Sequence, residues 1–195
     1  MQKWLLAVLC TLLLPCAVLP AAAQSFPEQV GFVTSPPGNR TAKDFVQAMM
    51  MNNKFAIVTG NLALERSQNP AIRAFASDMI AAHRKIGTDM KRITDRSFVN
   101  RRVTPPPVFD PPHAKMHRAL LVSYGPAFDR LYVSQQMQDH QELMATLEGY
   151  AAGKDGYPPL QRFSGQTVPM IRDHQAMLGR IRVDGPSPSG AVAAR

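Results

Sequence analysis

The chain has 195 residues, of which 45% are hydrophobic, and this is enough for one domain with a substantial core. Its formal net charge of +8 comes from scattered Lys and Arg without a basic block or interleaved aromatic residues, which indicates a solvated basic surface, disfavours nucleic acid, and leaves the partner unknown with an anionic envelope surface as the alternative. Both cysteines, Cys10 and Cys16, lie within the first 23 residues, so the rest of the chain has no thiol for a disulfide, a thiolate metal site or a cysteine nucleophile.

Residues 1–23 have the pattern of a secretory signal peptide. Lys3 provides the positive start, the apolar run "WLLAVLCTLLLPCAVLP" follows, and the small residues "AAA" ending at Ala23 form a cleavage motif. Pro15 and Pro20 interrupt the apolar run, so a membrane anchor is the weaker interpretation. We therefore predict a periplasmic or secreted protein after cleavage near Ala23.

The remaining chain divides into three parts. Residues 24–40 and 183–195 are rich in Pro, Gly and small or polar residues without periodicity, and we expect a flexible N-terminal segment and a disordered tail. Residues 41–182 have helical periodicity almost throughout, which predicts one helical domain.

Four long helices and one short helix are predicted within this domain. Asn69 is expected to cap the second helix, with Pro70 in its first turn. Gly60 interrupts the first helix, which is tolerable if another backbone approaches closely there. Pro169 predicts a kink or a broken start in the last helix. The expected spans are about 41–66, 70 to beyond 93, 113–124, 127–152 and 160–182, with a proline-stiffened crossover over 101–112.

Two helical hairpins joined by one long crossover predict an all-α fold. The arrangement expected is a ferritin-like antiparallel four-helix bundle with a proline-rich crossover and a short extra helix. All four long helices are amphipathic, as a bundle with a buried core requires.

Three stretches of the chain resemble a known family. They are "LALERSQNPAIRAFASDMIAAHRKI", "GPAFDRLYVSQQMQDHQELMATLEGYA" and "VPMIRDHQAML". Together they are similar to the exported bacterial proteins grouped as domain of unknown function 4142, whose members belong to the ferritin-like superfamily and are often labelled outer membrane proteins. The family often has Asp-His in the second helix, whereas Ala82 precedes His83 here. The resemblance implies a fold and export, and no catalytic residues.

Three of the five histidines lie on or beside apolar helical stripes. They are His83, His140 and His174, and the last two stand in repeated Asp-His-Gln motifs. Three imidazoles on three helices could bind one Zn, Cu, Fe or Ni ion. Two other interpretations remain open: a buried polar layer that fixes helix pairing, in which each imidazole has a hydrogen-bond partner, and a protonation sensor.

Further residues bear on the site. Asp139 and Asp173 lie about 100° round the helix from their histidines and should project away from the stripe. Glu65 is the candidate carboxylate to meet a core histidine. His113 and His117 form an i, i+4 pair that we interpret as surface histidines. A di-iron centre is disfavoured, because the chain has only four glutamates and no Glu-x-x-His.

The sequence contains no phosphate-binding glycine loop, no GxSxG elbow and no arrangement that assigns a catalytic residue. We therefore expect an exported cell-envelope protein that acts as a non-catalytic helical bundle. The alternative is a metal-binding or metal-dependent protein that uses His83, His140 and His174.

Overall fold

A computed structural model of the protein describes residues 41–96 and 106–183. It contains five helices: α1 (Ala42–Arg66), α2 (Pro70–Asp95), α3 (Pro111–Leu121), α4 (Gly125–Ala152) and α5 (Pro158–Leu178). These described ranges contain no strand, which confirms the all-α prediction. The predictions of a signal peptide, a flexible N-terminal segment and a disordered tail fall outside the described residues, apart from Val183, as does the first half of the crossover.

Side-chain caps begin three of the helices. Thr41 Oγ1 accepts the backbone N–H of Asp44, and Asn69 Oδ1 accepts that of Ala71 at 2.9 Å, so both predicted helix starts are confirmed. Asp110 Oδ1 accepts the N–H of His113 at 2.9 Å and thereby starts α3 at Pro111, two residues earlier than expected. Two prolines are tolerated in this first turn because its N–H groups need no partner within the helix.

The four long helices form a ring in which α1 packs on α2 and α4, and α5 packs on α4 and α2. The buried apolar side chains form two clusters. One cluster contains Met49, Ile86, Leu143 and Ile171, and the other contains Ala56, Met79, Tyr132 and Leu178. The order of the clusters along each helix gives the helix directions: α1 and α5 run one way, and α2 and α4 run the other. This up-down-down-up order needs a crossover that returns along the whole bundle, as in ferritin-like folds.

A layer of buried polar residues separates the two apolar clusters. Each long helix contributes to it at the point where the chain passes from one cluster to the other. Its members are Asn52 on α1, His83 on α2, Asp139 and His140 on α4, and His174 on α5. The bundle therefore has a polar middle between two apolar ends.

Gly60 in α1 and Pro169 in α5 are residues that could disturb their helices. A Cβ on Gly60 would lie 2.8 Å from Ile80 Cγ1 and 3.2 Å from Met79 Cε, so the atoms that approach Gly60 closely are side chains of α2 and not another backbone. Pro169, in contrast, lies within an uninterrupted α5. The carbonyl of Gly165 lacks the N–H that residue 169 would normally donate, and both residues are exposed to solvent.

Helix α5 ends at Leu178 rather than near residue 182, because the chain turns at Gly179 and the Arg180 N–H donates to Met177 O. None of the described helices is both long and apolar enough to span a membrane.

Candidate functional site

The middle layer brings the three predicted histidines together. One ring nitrogen from each of His83, His140 and His174 lies within 4.8 Å of the others, and all three residues are buried. The imidazoles come from α2, α4 and α5. Ring centroids are 5.3 Å apart for His140 and His174, and 5.7 Å and 5.9 Å apart for His83 and each of these two. The bundle thus places three potential nitrogen ligands around one point.

The protonation of His140 follows from its hydrogen bonds. Its Nδ1 lies 2.8 Å from the backbone carbonyl of Gln136, which can only accept, so Nδ1 carries the hydrogen. Nε2 of the neutral ring then has a free lone pair, and it lies 3.2 Å from Nδ1 of His174. His174 Nδ1–H is therefore the donor in this second bond. A backbone carbonyl that orients a histidine in this way is a usual accompaniment of metal-binding imidazoles.

His83 has no such partner. Both of its ring nitrogens are fully buried, and neither forms a hydrogen bond to any described residue. Leaving a buried polar group unpaired costs about 1–3 kcal/mol. A layer that merely fixes helix pairing should satisfy each of its imidazoles, and His83 departs from that expectation.

Burial keeps the three rings neutral. It is the main cause that lowers the pKa of His83 well below its ordinary value, and repulsion from His140 and then His174 adds to it. Burial also lowers the pKa of His140, against the opposing charge of Asp139. The pKa of His174 falls to about 4, mainly through burial and then through His140. Neutral imidazoles have lone pairs available near pH 7, as a metal ligand must.

An aromatic side chain packs near two of the three rings. The Phe75 ring lies 6.3 Å from the His140 ring and 6.0 Å from the His174 ring, measured between centroids. The side chain of Gln136 turns away to donate to Thr59 Oγ1 at 3.0 Å, and Thr59 in turn donates to Phe55 O at 2.7 Å. The polar side chain next to the site is thereby tied to α1.

Glu65 does not join the three histidines. The expectation that it meets a core histidine is wrong, because Glu65 is exposed near the end of α1. Asp173 is exposed, as expected from its position off the apolar stripe, whereas Asp139 is buried. Helix α4 is contacted by α1, α3 and α5, so more than one of its faces is covered, and a single stripe underestimates what it buries.

A second polar cluster surrounds Asp139. Asn52 Nδ2 donates to one carboxylate oxygen at 2.7 Å, and His113 Nε2 lies 3.3 Å from the other. His113 Nδ1 lies 2.6 Å from Asp110 Oδ1 at the start of α3. The interpretation of His113 as a surface residue is therefore wrong, since α3 packs on α1 and α4 and buries its His113 side chain between them. His117 is half-buried, and its ring lies 5.2 Å from the Phe109 ring.

In the second cluster, the pKa values of a histidine and a glutamate are raised. Burial by itself lowers the pKa of His113, but the hydrogen bonds and charges of Asp139 and then Asp110 outweigh it, and the pKa is raised. Glu142, one turn beyond Asp139, has its pKa raised to about 7, mainly by burial. One sequence signal that could have pointed to this cluster is Asp110, which stands just before two prolines and three residues ahead of His113, as a helix N-cap does. The partner Asp139 is distant in sequence and could not be identified that way.

Fold and site together define an all-α bundle with a buried three-histidine centre. The sequence model of the domain of unknown function DUF4142 matches residues 28–181, and the chain belongs to this family. Among solved structures, the crystal structure of a DUF305 fragment from Deinococcus radiodurans is similar, with a TM-score of 0.60 and 24% identity. The match covers 75% of this chain and 100% of that chain, and it concerns the fold alone. No match was found among curated proteins.

Proposed function

We propose that this protein is an exported bacterial envelope protein that holds one transition-metal ion in its bundle through His83, His140 and His174. The observation that carries the proposal is the buried His83 side chain, whose two ring nitrogens have no partner among the described residues while two other imidazole nitrogens lie nearby. A metal ion would satisfy one of these nitrogens.

The spacing of the nitrogens supports a shared ion. Two ligands of a tetrahedral ion are about 3.3 Å apart when each metal–nitrogen bond is about 2.05 Å. His140 Nε2 and His174 Nδ1 are already 3.2 Å apart. With the three atoms within 4.8 Å of one another, His83 has to approach by at most about 1.5 Å, which a rotation of its ring can supply.

The ligand atoms favour one class of ion. Three imidazoles suit Zn, Cu, Fe or Ni, whereas Mg²⁺ and Ca²⁺ require oxygen ligands. The carboxylates of Asp139, Asp173 and Asp78 act on the histidines through space without being among the three ligands. These charges offset part of the cost of burying a cation.

Burial favours a role in holding an ion over one in substrate turnover. His83 and His140 have no exposed surface, so a substrate could reach a metal there only if the helices moved apart. No nucleophile is identified beside the site from the sequence. We therefore retain a non-catalytic role within this proposal.

The alternative is a metal-free polar layer that specifies helix pairing, and the direct bond between His140 and His174 favours it.

Both roles can be tested on the mature chain, purified without an affinity tag and stripped with a chelator. Calorimetry and metal analysis with Zn²⁺, Cu²⁺, Fe²⁺ and Ni²⁺ should give one ion per chain and a higher melting temperature. His83→Leu should lose the ion, and His117→Gln should keep it. Sub-stoichiometric binding of all four ions with no thermal shift would overturn the proposal.

Export has its own test. The positive start, apolar run and "AAA" motif of residues 1–23 support it. Cell fractionation followed by N-terminal sequencing should place the mature chain outside the cytoplasm and beginning at Gln24. A cytoplasmic chain that retains Lys3 would contradict export and leave the metal site untouched.

A further inference from the structure

The three histidines differ in how well they are enclosed. His83 and His140 are 0% exposed, whereas His174 is 5% exposed. Helix α5, which carries His174, packs against α2 and α4. An ion that arrives from solvent therefore meets His174 before it meets the other two imidazoles.

Asp78 lies at the same height along the bundle as His174. The His174 ring contacts two side chains of α2, Phe75 at 6.0 Å and His83 at 5.9 Å between centroids. Asp78 stands between these two residues in the sequence of α2, and it is exposed. Residues of a helix that are three and five positions apart lie about 4.5 and 7.5 Å apart along its axis, so Asp78 is level with the ring.

Asp173 approaches the same place from α5. It directly precedes His174 and is exposed. The neighbouring cation, Arg172, is engaged elsewhere, because its Nη2 lies 3.2 Å from Glu148 Oε1 on α4. Asp173 and Asp78 are both close enough for their charges to act on the His174 ring. Two negative charges thus flank the least enclosed ligand.

We propose that Asp78 and Asp173 form the entrance of the metal site, which attracts a hydrated cation and passes it to His174 as the first ligand. This inference rests on the proposed function. Negative charges at the mouth of a low-dielectric cleft raise the local cation concentration and the rate of association. The acids lie outside the three-nitrogen set, so they affect arrival of the ion more than its retention.

Binding at His174 also requires a proton to change place. His174 Nδ1–H donates to His140 Nε2 in the resting site. When Nδ1 offers its lone pair to the ion, this bond opens and the hydrogen of the neutral ring resides on Nε2. The ring keeps its charge, because one N–H bond is broken and one is formed through solvent. Nearby carboxylates favour the polarised Nε2–H that results.

The test is the rate of Zn²⁺ association with the mature chain, followed by stopped-flow competition with a chromophoric chelator. Asp78→Asn/Asp173→Asn should lower the association rate roughly five- to tenfold at low salt, and the difference should shrink in about 0.5 M salt. The double variant Asp78→Glu/Asp173→Glu keeps both negative charges and should associate with Zn²⁺ at about the rate of the unaltered chain. Asp155→Asn removes an exposed charge in the loop before α5 and should change the rate less than twofold.

Three outcomes would count against the inference or its basis. If the unaltered chain binds no Zn²⁺, the proposed function fails for this ion. If Zn²⁺ binds and the double Asn variant associates as fast as the unaltered chain, the entrance fails while the site stands. If the dissociation rate alone changes, the two acids hold the ion in place, and the entrance is again refuted. Thermal melting of the apo variants checks that the helices remain folded.

Discussion

His140 Nε2 lies 3.2 Å from Nδ1 of His174, so helices α4 and α5 share one imidazole–imidazole hydrogen bond in the middle of the bundle. The bond requires His140 to be neutral, because a protonated His140 would present a second donor instead of an acceptor. His83 completes the group from α2 but bonds to neither ring. The stability of the apo protein and its capacity for metal should therefore respond in opposite ways to changes at His83.

Replacement of His83 by leucine should stabilise the apo protein. Both ring nitrogens are buried and unpaired, and an apolar side chain of similar size removes that cost while filling the space. We expect the free energy of unfolding to rise by about 1–2 kcal/mol in urea titrations of chelator-treated protein. A loss of more than 1 kcal/mol would mean that His83 has a bonding partner in solution.

Acidification should destabilise the protein through the histidine centre. The pKa values of His83, His140 and His174 are lowered in the folded protein. Below the ordinary histidine pKa of about 6.5, the unfolded chain therefore binds more protons than the folded chain. Their stabilising contribution is present above that pH and is lost as the pH falls, with His174 titrating in the folded state at about 4. The loss from His174 is on the order of 2 kcal/mol.

Urea titrations at pH 7, 6, 5 and 4.5 would measure this loss. His83→Leu should flatten the curve, because one of the buried neutral rings is removed. His113 acts with the opposite sign: its raised pKa gives a contribution that is present at low pH and is lost as the pH rises through the folded value. A free energy of unfolding that stays constant from pH 7 to 4.5 would contradict neutral buried imidazoles.

The aspartates of the two Asp-His-Gln motifs should differ in their contribution to stability. Asp139 is buried between Asn52 and His113, and Asp139→Ala leaves a buried polar cluster without its carboxylate. We expect a loss of about 3–4 kcal/mol in the free energy of unfolding. Asp173→Ala, the matched control in the second motif, should change it by about 0.5 kcal/mol or less, since Asp173 is exposed. Equal losses at the two positions would refute the distinction.

Two glycine substitutions should have opposite effects. Gly60→Ala places a Cβ 2.8 Å from Ile80 Cγ1 where α1 and α2 approach, and we expect a loss of about 1–3 kcal/mol. A Cβ on Gly165, in α5, meets no atom within 4 Å. Gly165→Ala should stabilise the helix by about 0.5–1 kcal/mol. Thermal and urea unfolding of both variants would measure the difference, and a neutral Gly60→Ala would argue against the close approach.

Local patterns in the sequence were sufficient for most of the fold. Thr41 and Asn69 cap the predicted helices because a side-chain oxygen before an apolar periodic segment satisfies the first N–H groups wherever the helix later packs. The same periodicity put His83, His140 and His174 on core faces. These features depend on residues within one or two helical turns of each other, so they can be identified from the sequence alone.

Positions judged by one helical stripe were less secure. Asp139 was expected to project away from the core, and His113 was expected at the surface. Both are buried, because α3 and the end of the crossover cover a second face of the bundle. Glu65 was expected near the core histidines and is exposed. How much of a helix is covered depends on how many neighbours pack on it, and a helical wheel contains no such information.

The sequence by itself determined that the chain forms amphipathic helices with three histidines on their inner faces. Only the tertiary structure decided that these histidines meet, since that depends on the directions and heights of helices separated by up to 91 residues, from His83 to His174. It also gave the two aspartates of one repeated motif different surroundings, one beneath α3 and one facing solvent. Helix formation is a local property of the chain, whereas the convergence of side chains depends on how the helices pack against one another.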